Sequence, residues 1–295
     1  MKYSKQLVSC IIATCLLSAC SANAEKGTSN SDTNSESTVQ VDTNSQTTEE
    51  KTNTDDENEQ QQTSEVKKTT DDTTTSSTNN SSVTNKEDQT KMIETIKKEV
   101  KTSGLPVELP TILPLKDGKY LSATTKAGKN NYSIVFYESD KNVKINDPSL
   151  RKAPKKSIIA KYKVIKYIDL NKANTEISYE DFSKVGGQKV NLGHQIIGYQ
   201  DAGAGALWTS WNEGRWALAT HTRATKPEQG LELAKKAVEF LETNTLPVPK
   251  PNGSIHLDAI KSTENNVKWQ NNNIVFSVEK VQDPIDALKI ATSVK

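Results

Sequence analysis

Apolar residues are distributed unevenly along the chain, and their distribution divides it into three segments. Residues 1–19 contain a short apolar run preceded by lysines. Residues 20–85 are almost entirely Ser, Thr, Asn, Gln, Asp and Glu, with valine as the only large apolar residue. From residue 86 to 295, apolar residues recur at helix and strand spacings. The pattern predicts one folded domain over 86–295, preceded by a disordered tether that cannot bury enough apolar surface to offset its ordering entropy.

Three stretches of the folded segment have the apolar period of a helix. A capping-box pattern from Thr84 to Glu87 predicts the start of a helix that covers about 86–102. The clearest amphipathic pattern predicts a second long helix over about 227–243. A third helix is predicted after Asp283, which precedes a proline and can accept the free N–H groups of the first turn.

Between these helices the pattern alternates, which indicates strands that are buried on one face. A short helix is also expected over about 179–185. The result is an α+β fold, in which an antiparallel sheet of hairpins packs with three helices. The predicted strands cover about 120–125, 132–137, 157–168, 190–199, 207–211, 215–220, 255–260, 267–269 and 276–278.

Three of the four tryptophans, Trp208, Trp211 and Trp216, lie within one predicted hairpin. A three-residue loop that contains Gly214 would place Trp208 and Trp216 on one face, whereas a four-residue loop would place Trp211 opposite Trp216. The pattern leaves both loops open. The tryptophans are either core residues or an exposed aromatic surface that stacks on a ligand, so all three are candidate binding residues.

Charge separates the tether from the domain. Residues 21–90 contain 15 acidic residues and five lysines, whereas residues 91–295 contain 31 basic and 22 acidic residues. No acid occurs between Asp147 and Asp169, where basic residues are frequent. This stretch is either a solvated face or a surface that attracts an anionic wall polymer or anionic lipid. Its candidate ligand-binding residues are Arg151, Lys152, Lys155 and Lys156.

Motifs for catalysis and for cofactors are scarce. His194, His221 and His256 have no partner at metal-ligand spacing along the chain, so the sequence predicts neither a metal site nor a cofactor. No nucleic-acid motif accompanies the lysines. Asp201 and Glu213 flank the tryptophan hairpin and are the carboxylate pair considered for glycoside or transfer chemistry.

The apolar run at the N-terminus ends in Leu17-Ser18-Ala19-Cys20, which resembles the lipobox of bacterial lipoproteins. The resemblance implies cleavage after Ala19, diacylglycerol on the Cys20 sulfur, and an anchor in the outer face of the cell membrane. The alternative is an ordinary signal peptide cleaved near the small residues at 22–24. Lysine outnumbers arginine 35 to three, and together with the long polar tether this favours a Gram-positive source.

The C-terminal segment contains three short motifs: Val267-Lys268-Trp269, Val275-Phe276-Ser277-Val278 and Ile290-Ala291-Thr292-Ser293. With them the segment resembles DUF4367-type domains, and through those domains the half-barrel of periplasmic lipoprotein-carrier proteins. The resemblance implies an antiparallel sheet wrapped over helices and assigns no functional residue.

These observations favour an anchored, non-enzymatic protein that binds a component of the cell envelope, such as an anionic wall polymer, a lipid or a protein. Two alternatives stay open. One is an envelope hydrolase or transferase that uses Asp201 and Glu213, and the other is a carrier that holds a hydrophobic ligand in the concave face of the sheet.

Overall fold

A computed structural model describes the backbone of residues 78–295 and the side chains from residue 87. The predicted signal peptide, the predicted lipid attachment at Cys20 and the predicted tether as far as residue 77 lie outside the described residues. Within them there are five helices and ten strands. The helices are α1 Thr78–Val100, α2 Leu170–Asn174, α3 Phe182–Val185, α4 Pro227–Thr243 and α5 Pro284–Thr292. The strands are β1 Tyr120–Gly128, β2 Asn131–Ser139, β3 Ile158–Lys166, β4 Gln188–Gly193, β5 Ile196–Gly203, β6 Ala206–Glu213, β7 Trp216–Arg223, β8 Gly253–Asp258, β9 Asn265–Asn271 and β10 Ile274–Val281.

All ten strands form one sheet in the order β1-β2-β3-β10-β9-β8-β7-β6-β5-β4. Every neighbouring pair is antiparallel except β7 and β8, which run parallel because α4 connects them. The sheet is not closed, since β1 and β4 remain at its two edges. The α+β class and the mainly antiparallel sheet are therefore confirmed.

Helices α1, α4 and α5 pack on one face of the sheet, which we call the covered face. The main core lies there, because alternate strand residues point into it. In β3, for example, Tyr162 and Val164 are fully buried, whereas the intervening Lys163 is only partly buried. Trp211, Trp216 and Trp269 are buried in the same core.

The opposite face, the open face, carries no long helix in the described part of the chain. It is crossed by the strap, residues 167–187, which leads from β3 to β4 at the far edge of the sheet and contains α2 and α3. A small apolar cluster of Ala173, Ile177 and Val275 holds one end of the strap against β10. Hydrogen bonds from the sheet hold the rest: Asn273 Nδ2 to Tyr167 O (2.8 Å), Gln270 Nε2 to Asn174 Oδ1 (2.9 Å), and Asn212 Nδ2 to Glu180 O (2.8 Å).

The predicted helices differ in how well their starts agree with the structure. Helix α4 has the predicted bounds, and α5 begins where expected because Asp283 accepts the backbone N–H groups of Ile285 and Asp286. Helix α1 begins at Thr78, so the prediction that Thr84 starts it is wrong. In the strap, the short helix is confined to Phe182–Val185, and α2 was not predicted.

The single strand predicted over 190–199 is wrong. This stretch is the hairpin β4–β5, and its chain reverses at His194 and Gln195, which have φ values of 47° and 63°. Left-handed backbone is uncommon for residues other than glycine, so neither side chain signals a turn by its type. The local signal at this turn is Gly193, which directly precedes the two residues and has a φ of 95°.

Candidate functional site

The register of the tryptophan hairpin decides which side chains reach the open face. Glu213 pairs with Trp216, so Gly214 and Arg215 form a two-residue loop, unlike either loop that the sequence left open. Trp211 then lies opposite Leu218 and points into the core, whereas Trp208 lies opposite His221. The hairpin therefore places Trp211 and Trp216 on the covered face and Trp208 on the open face.

A cleft of about 570 Å³ lies between the strap and the open face of β5 to β9. Its volume is in the range of small-molecule sites. Aromatic rings line one part of the wall, and hydroxyl, amide, ammonium and imidazole groups line the rest together with the carboxylates of Glu180 and Asp201. The aromatic residues are Tyr179, Phe182, Tyr199 and Trp208, and the polar residues include Asp201, Ser210, Ser254, Asn266 and Lys268.

Lys268 supplies a positive charge to this cleft. It lies on β9 opposite Ser254 of β8, and it makes no ion pair with any residue in the described part of the chain. Lys163, two strands away, is different because its Nζ lies 2.5 Å from Glu279 Oε1. Lys268 is therefore available to an anionic group of a ligand.

Two histidines and an aspartate meet beside the cleft; we call His221, His256 and Asp258 the histidine cluster. His221 Nδ1 lies 2.7 Å from Asp258 Oδ2, and His256 Nε2 lies 3.9 Å from the same oxygen. The Trp208 ring stands against both imidazoles, with centroid distances of 4.6 Å to His221 and 5.0 Å to His256. His256 and Trp208 also line the cleft.

Strand pairing explains the cluster. Trp208 of β6 pairs with His221 of β7, which pairs in turn with Asp258 of the parallel strand β8. His256 precedes Asp258 by two residues, so its side chain leaves the same face of the sheet. The four side chains therefore occupy two neighbouring rows of the open face.

The Asp258 carboxylate is held in place from both sides. Its Oδ1 accepts the backbone N–H groups of Ile260 (2.7 Å) and Lys261 (2.5 Å), while Oδ2 faces His221. Burial alone would raise the pKa of Asp258, but these donors outweigh burial and keep the pKa below its usual value. The carboxylate is therefore ionised at neutral pH.

His256 carries an unsatisfied atom. Its Nε2 is buried and has no hydrogen-bond partner among the described residues. Burial lowers the pKa of His256, against the opposing attraction of Asp258, so the ring is mainly neutral at pH 7. A neutral imidazole of this kind can ligate a metal ion or accept a hydrogen bond from a ligand.

The sequence reasoning missed this cluster because His221 and Asp258 are 37 positions apart and meet only through the parallel pairing of β7 and β8. One local signal was present. His256 and Asp258 are two residues apart in a predicted strand, which places a histidine and a carboxylate on one face.

The structure separates the other predicted site residues. Trp211 and Trp216 are buried in the core, so only Trp208 of the three candidates lines the cleft. Asp201 lies opposite Trp208 on the open face, whereas Glu213 belongs to the covered face, where it accepts the Trp211 indole N–H at 2.7 Å. The two carboxylates therefore point to opposite faces of the sheet.

The predicted basic residues lie on two short 3₁₀ turns, Pro148–Lys152 and Lys155–Ser157, that precede β3. All four side chains are exposed, and none forms an ion pair within the described residues. His194 also lies apart from the cleft, at the β4–β5 turn, with its Nε2 2.7 Å from Glu239 Oε2 of α4. Its pKa is raised, chiefly by this hydrogen bond.

In the part of the chain that the structure describes, no helix combines the length and the apolar character needed to cross a bilayer. Comparison of the chain with protein-family models, with curated proteins and with solved structures gives no match. The lipobox and the resemblance of the C-terminal segment therefore stay predictions. The cleft and its side chains are the features of the described residues that bear on function.

Proposed function

We propose that the protein is a lipid-anchored, extracytoplasmic binding protein, without enzymatic activity, whose cleft holds an anionic, sugar-containing component of the cell envelope. The single observation that carries the proposal is the cleft on the open face, where a partly exposed tryptophan and an unpaired lysine line one cavity. The lipobox at Cys20 supports the location.

Ring stacking accounts for the aromatic part of the cleft. Trp208 and Tyr199 come from neighbouring strands, and Tyr179 comes from the strap on the other side of the cavity. Flat aromatic faces bury much area at little cost in side-chain freedom, and sugar rings present apolar faces that fit against them. Ser210, between Tyr199 and Ala219 in the register, offers a hydroxyl to such a ring.

The positive charge of Lys268 accounts for the polar part of the cleft. Lys268 lies opposite Ser254 in the register and two residues after Asn266, and neither neighbour adds negative charge. A phosphate or carboxylate on the ligand would pair with the ammonium and could accept a hydrogen bond from the Ser254 hydroxyl. Hydrogen bonds to a charged partner contribute about 1.5–3 kcal/mol, which exceeds the contribution of a neutral pair.

The open cleft argues against the two alternative functions. Asp201 and Glu213 point to opposite faces of the sheet, so they are unable to act on one glycosidic bond. A ligand without polar groups would bury the Lys268 ammonium in this cavity without a partner, which is costly and disfavours a carrier of purely hydrophobic ligands.

The remaining segments fit an anchored binder. Two acyl chains on Cys20 give stable attachment, since each buried methylene contributes about 0.8 kcal/mol. The polar tether that precedes α1 lets the domain work at a distance from the bilayer. The four exposed basic residues before β3 attract anionic polymer or lipid, and each contributes about 1 kcal/mol at low salt. Nucleic acid is not proposed as a ligand.

Binding is tested with the full-length protein extracted in mild detergent and titrated with soluble fragments of a sugar-phosphate wall polymer. We expect Trp208→Ala and Lys268→Gln each to weaken binding at least tenfold, because each removes one of the two recognition elements. Lys166→Gln, a change of an exposed lysine at the end of β3, is the matched control and leaves binding unchanged. A parallel titration with vesicles of anionic phospholipid distinguishes a polymer from a lipid headgroup.

A fourfold variant that replaces Arg151, Lys152, Lys155 and Lys156 by glutamine separates the cleft from the basic turns. Binding that is lost in this variant but retained in the two cleft variants would contradict the proposal. The anchor is tested separately by growth with labelled palmitate, where Cys20→Ala is expected to abolish incorporation of the label. Label retained in Cys20→Ala would rule out the proposed lipid attachment.

A further inference from the structure

We infer that His221, His256 and Asp258 form a binding site for a divalent transition-metal ion of the zinc type. The inference does not depend on which ligand occupies the cleft. It rests on the side-chain geometry of the histidine cluster and on the unsatisfied nitrogen of His256.

The donor set has the chemistry of a zinc site. One ligand atom from each of the three residues lies within 4.8 Å of the others. Two imidazole nitrogens and one carboxylate oxygen are common zinc ligands, and three protein ligands with an open fourth position are typical of sites that are accessible to solvent or substrate. A hard ion such as Mg²⁺ prefers oxygen ligands and is disfavoured here.

The carboxylate is already positioned for the ion. The backbone N–H groups of Ile260 and Lys261 hold Oδ1, so Oδ2 is the oxygen that faces both imidazoles. The Asp258 side chain has no exposed surface, and Oδ2 already lies 2.7 Å from His221 Nδ1. Such outer contacts orient metal ligands and fix their geometry.

The nitrogen of His256 gives an independent reason to expect a ligand. A buried polar atom without a partner loses its hydration and gains nothing in return, at a typical cost of about 1–3 kcal/mol. His256 Nε2 is in this position, 3.9 Å from Asp258 Oδ2. A metal ion between the two atoms would satisfy the nitrogen.

The distances require only small side-chain movements. In a tetrahedral site with metal–ligand distances of about 2.0–2.2 Å, the ligand atoms lie roughly 3.2–3.6 Å apart. The observed separations are 2.7 Å for His221 Nδ1 to Asp258 Oδ2 and 3.9 Å for His256 Nε2 to Asp258 Oδ2, one shorter and one longer than this range. The entering ion takes the place of the hydrogen between His221 Nδ1 and Asp258 Oδ2, and the neutral imidazole then carries its one hydrogen on Nε2, so that it loses no net proton.

The site adjoins the cleft. His256 and Trp208 line the cavity, so an ion bound by His256 lies at the cavity margin, where water or an oxygen of the cleft ligand can complete its coordination. The indole of Trp208 stands against both imidazoles, which makes its fluorescence a reporter of the ion.

Isothermal titration of the chelator-treated, full-length protein in detergent with Zn²⁺ tests the inference. We expect one ion per chain with a dissociation constant of about 1 μM or below, and at least tenfold weaker binding in His256→Gln. His194→Gln is the matched control, because it removes a histidine that contacts carboxylates outside the cluster, and it leaves binding unchanged. In a second measurement Cu²⁺ quenches tryptophan fluorescence, and Trp208→Phe removes most of this quenching.

The inference is overturned if the wild type shows no saturable one-to-one binding, or if His256→Gln and His194→Gln bind Zn²⁺ equally well. Thermal unfolding checks that His256→Gln keeps its fold; if it does not, Asp258→Asn, which retains the side-chain shape, takes its place with the same expected loss. If the protein still binds polymer in excess chelator, the proposed function of the cleft stands even when the inference of a metal site fails.

Discussion

The two faces of the sheet use similar residue types for opposite purposes. On the covered face, Trp211 and Trp216 are buried under the helices, whereas Trp208 of the same hairpin stands at the edge of the open cleft. Only the position of each residue along its strand separates them, because alternate side chains leave opposite faces. Residue type therefore predicts whether an aromatic side chain belongs to the core or to the cleft only once the strand register is known.

Unsatisfied polar atoms show the same contrast. The Tyr162 hydroxyl on the covered face has no exposed surface and no hydrogen-bond partner within the described residues, and its ring lies against Tyr132 and Trp269. Burial raises the pKa of Tyr162 well above its usual value, so the hydroxyl stays neutral. His256 Nε2 is equally unpartnered but adjoins the cleft. The unpaired Tyr162 hydroxyl only lowers the stability of the core, whereas His256 Nε2 is a candidate metal ligand.

The largest expected difference between the faces is in stability. Trp269→Ala should lower the free energy of unfolding by about 3–5 kcal/mol, because it removes a fully enclosed ring that stacks on Phe276 at 5.3 Å. Trp208→Ala, on the open face, should cost less than about half of that. Urea unfolding of both variants provides the measurement. Equal losses of stability would show that the open face is packed as tightly as the core and that the two faces do not differ in this respect.

A methyl group tests the packing of the covered face. The Cβ of Gly253→Ala would lie 2.5 Å from the Trp216 ring, so the ring or strand β8 must shift, at an expected cost of about 1–3 kcal/mol. Gly203→Ala is the control, since its Cβ would meet nothing within 4 Å. We expect it to change stability by less than about 0.5 kcal/mol. Thermal unfolding of the pair measures the difference, and a tolerated Gly253→Ala would indicate a loose core at this point.

The attachment of the strap should be weaker than the packing of the core. Asn212 accepts the backbone N–H of Phe182 at 2.9 Å and donates to Glu180 O at 2.8 Å. Asn212→Ala should cost about 0.5–1.5 kcal/mol per hydrogen bond lost and increase hydrogen exchange over 178–186. Asn171→Ala, an exposed change elsewhere in the strap, is the control. Unchanged exchange in Asn212→Ala would mean that other contacts hold the strap.

The smallest expected effect is a shift in the titration of His194. Its pKa should lie above the ordinary value of about 6.5, because its ring contacts Glu239, and Glu239→Gln should lower it. A raised folded-state pKa means that this pair stabilises the fold below the unfolded-state pKa, and that the contribution disappears as pH rises through the folded-state pKa. NMR titration of the imidazole proton, with Glu232→Gln as the control on α4, measures the shift. Equal pKa values in both variants would exclude Glu239 as the cause.

Much of the fold was predictable from local pattern. Helix α4 and the cap at Asp283 follow from apolar spacing and from an acid before a proline, which act within one turn of helix. The β1–β2 and β9–β10 hairpins were predicted from alternation interrupted by glycine or asparagine. The reversal at His194 was missed although Gly193, which has a φ of 95°, directly precedes it and is a residue type that marks turns.

The candidate site was less predictable. Trp208 was identified as a candidate together with two tryptophans that are buried. The sequence left a three-residue and a four-residue hairpin loop open, whereas the structure has a two-residue loop, so the face of each tryptophan was not known. Lys268 was noticed only as part of a structural motif. Within the described sheet, Glu279 of the neighbouring strand β10 is paired with Lys163 of β3 and not with Lys268, and only the strand order brings those side chains together.

By itself, the sequence determined the division into a signal-like run, a polar tether and a domain, and it determined the α+β class, because burial and capping act over a few neighbouring residues. Only the tertiary structure decided what those residues face. The parallel pairing of β7 with β8 brings His221 to Asp258, and the strap encloses Trp208 and Lys268 in one cleft. These contacts join residues far apart in the chain, and their partners follow from the order of the strands, which no local pattern encodes.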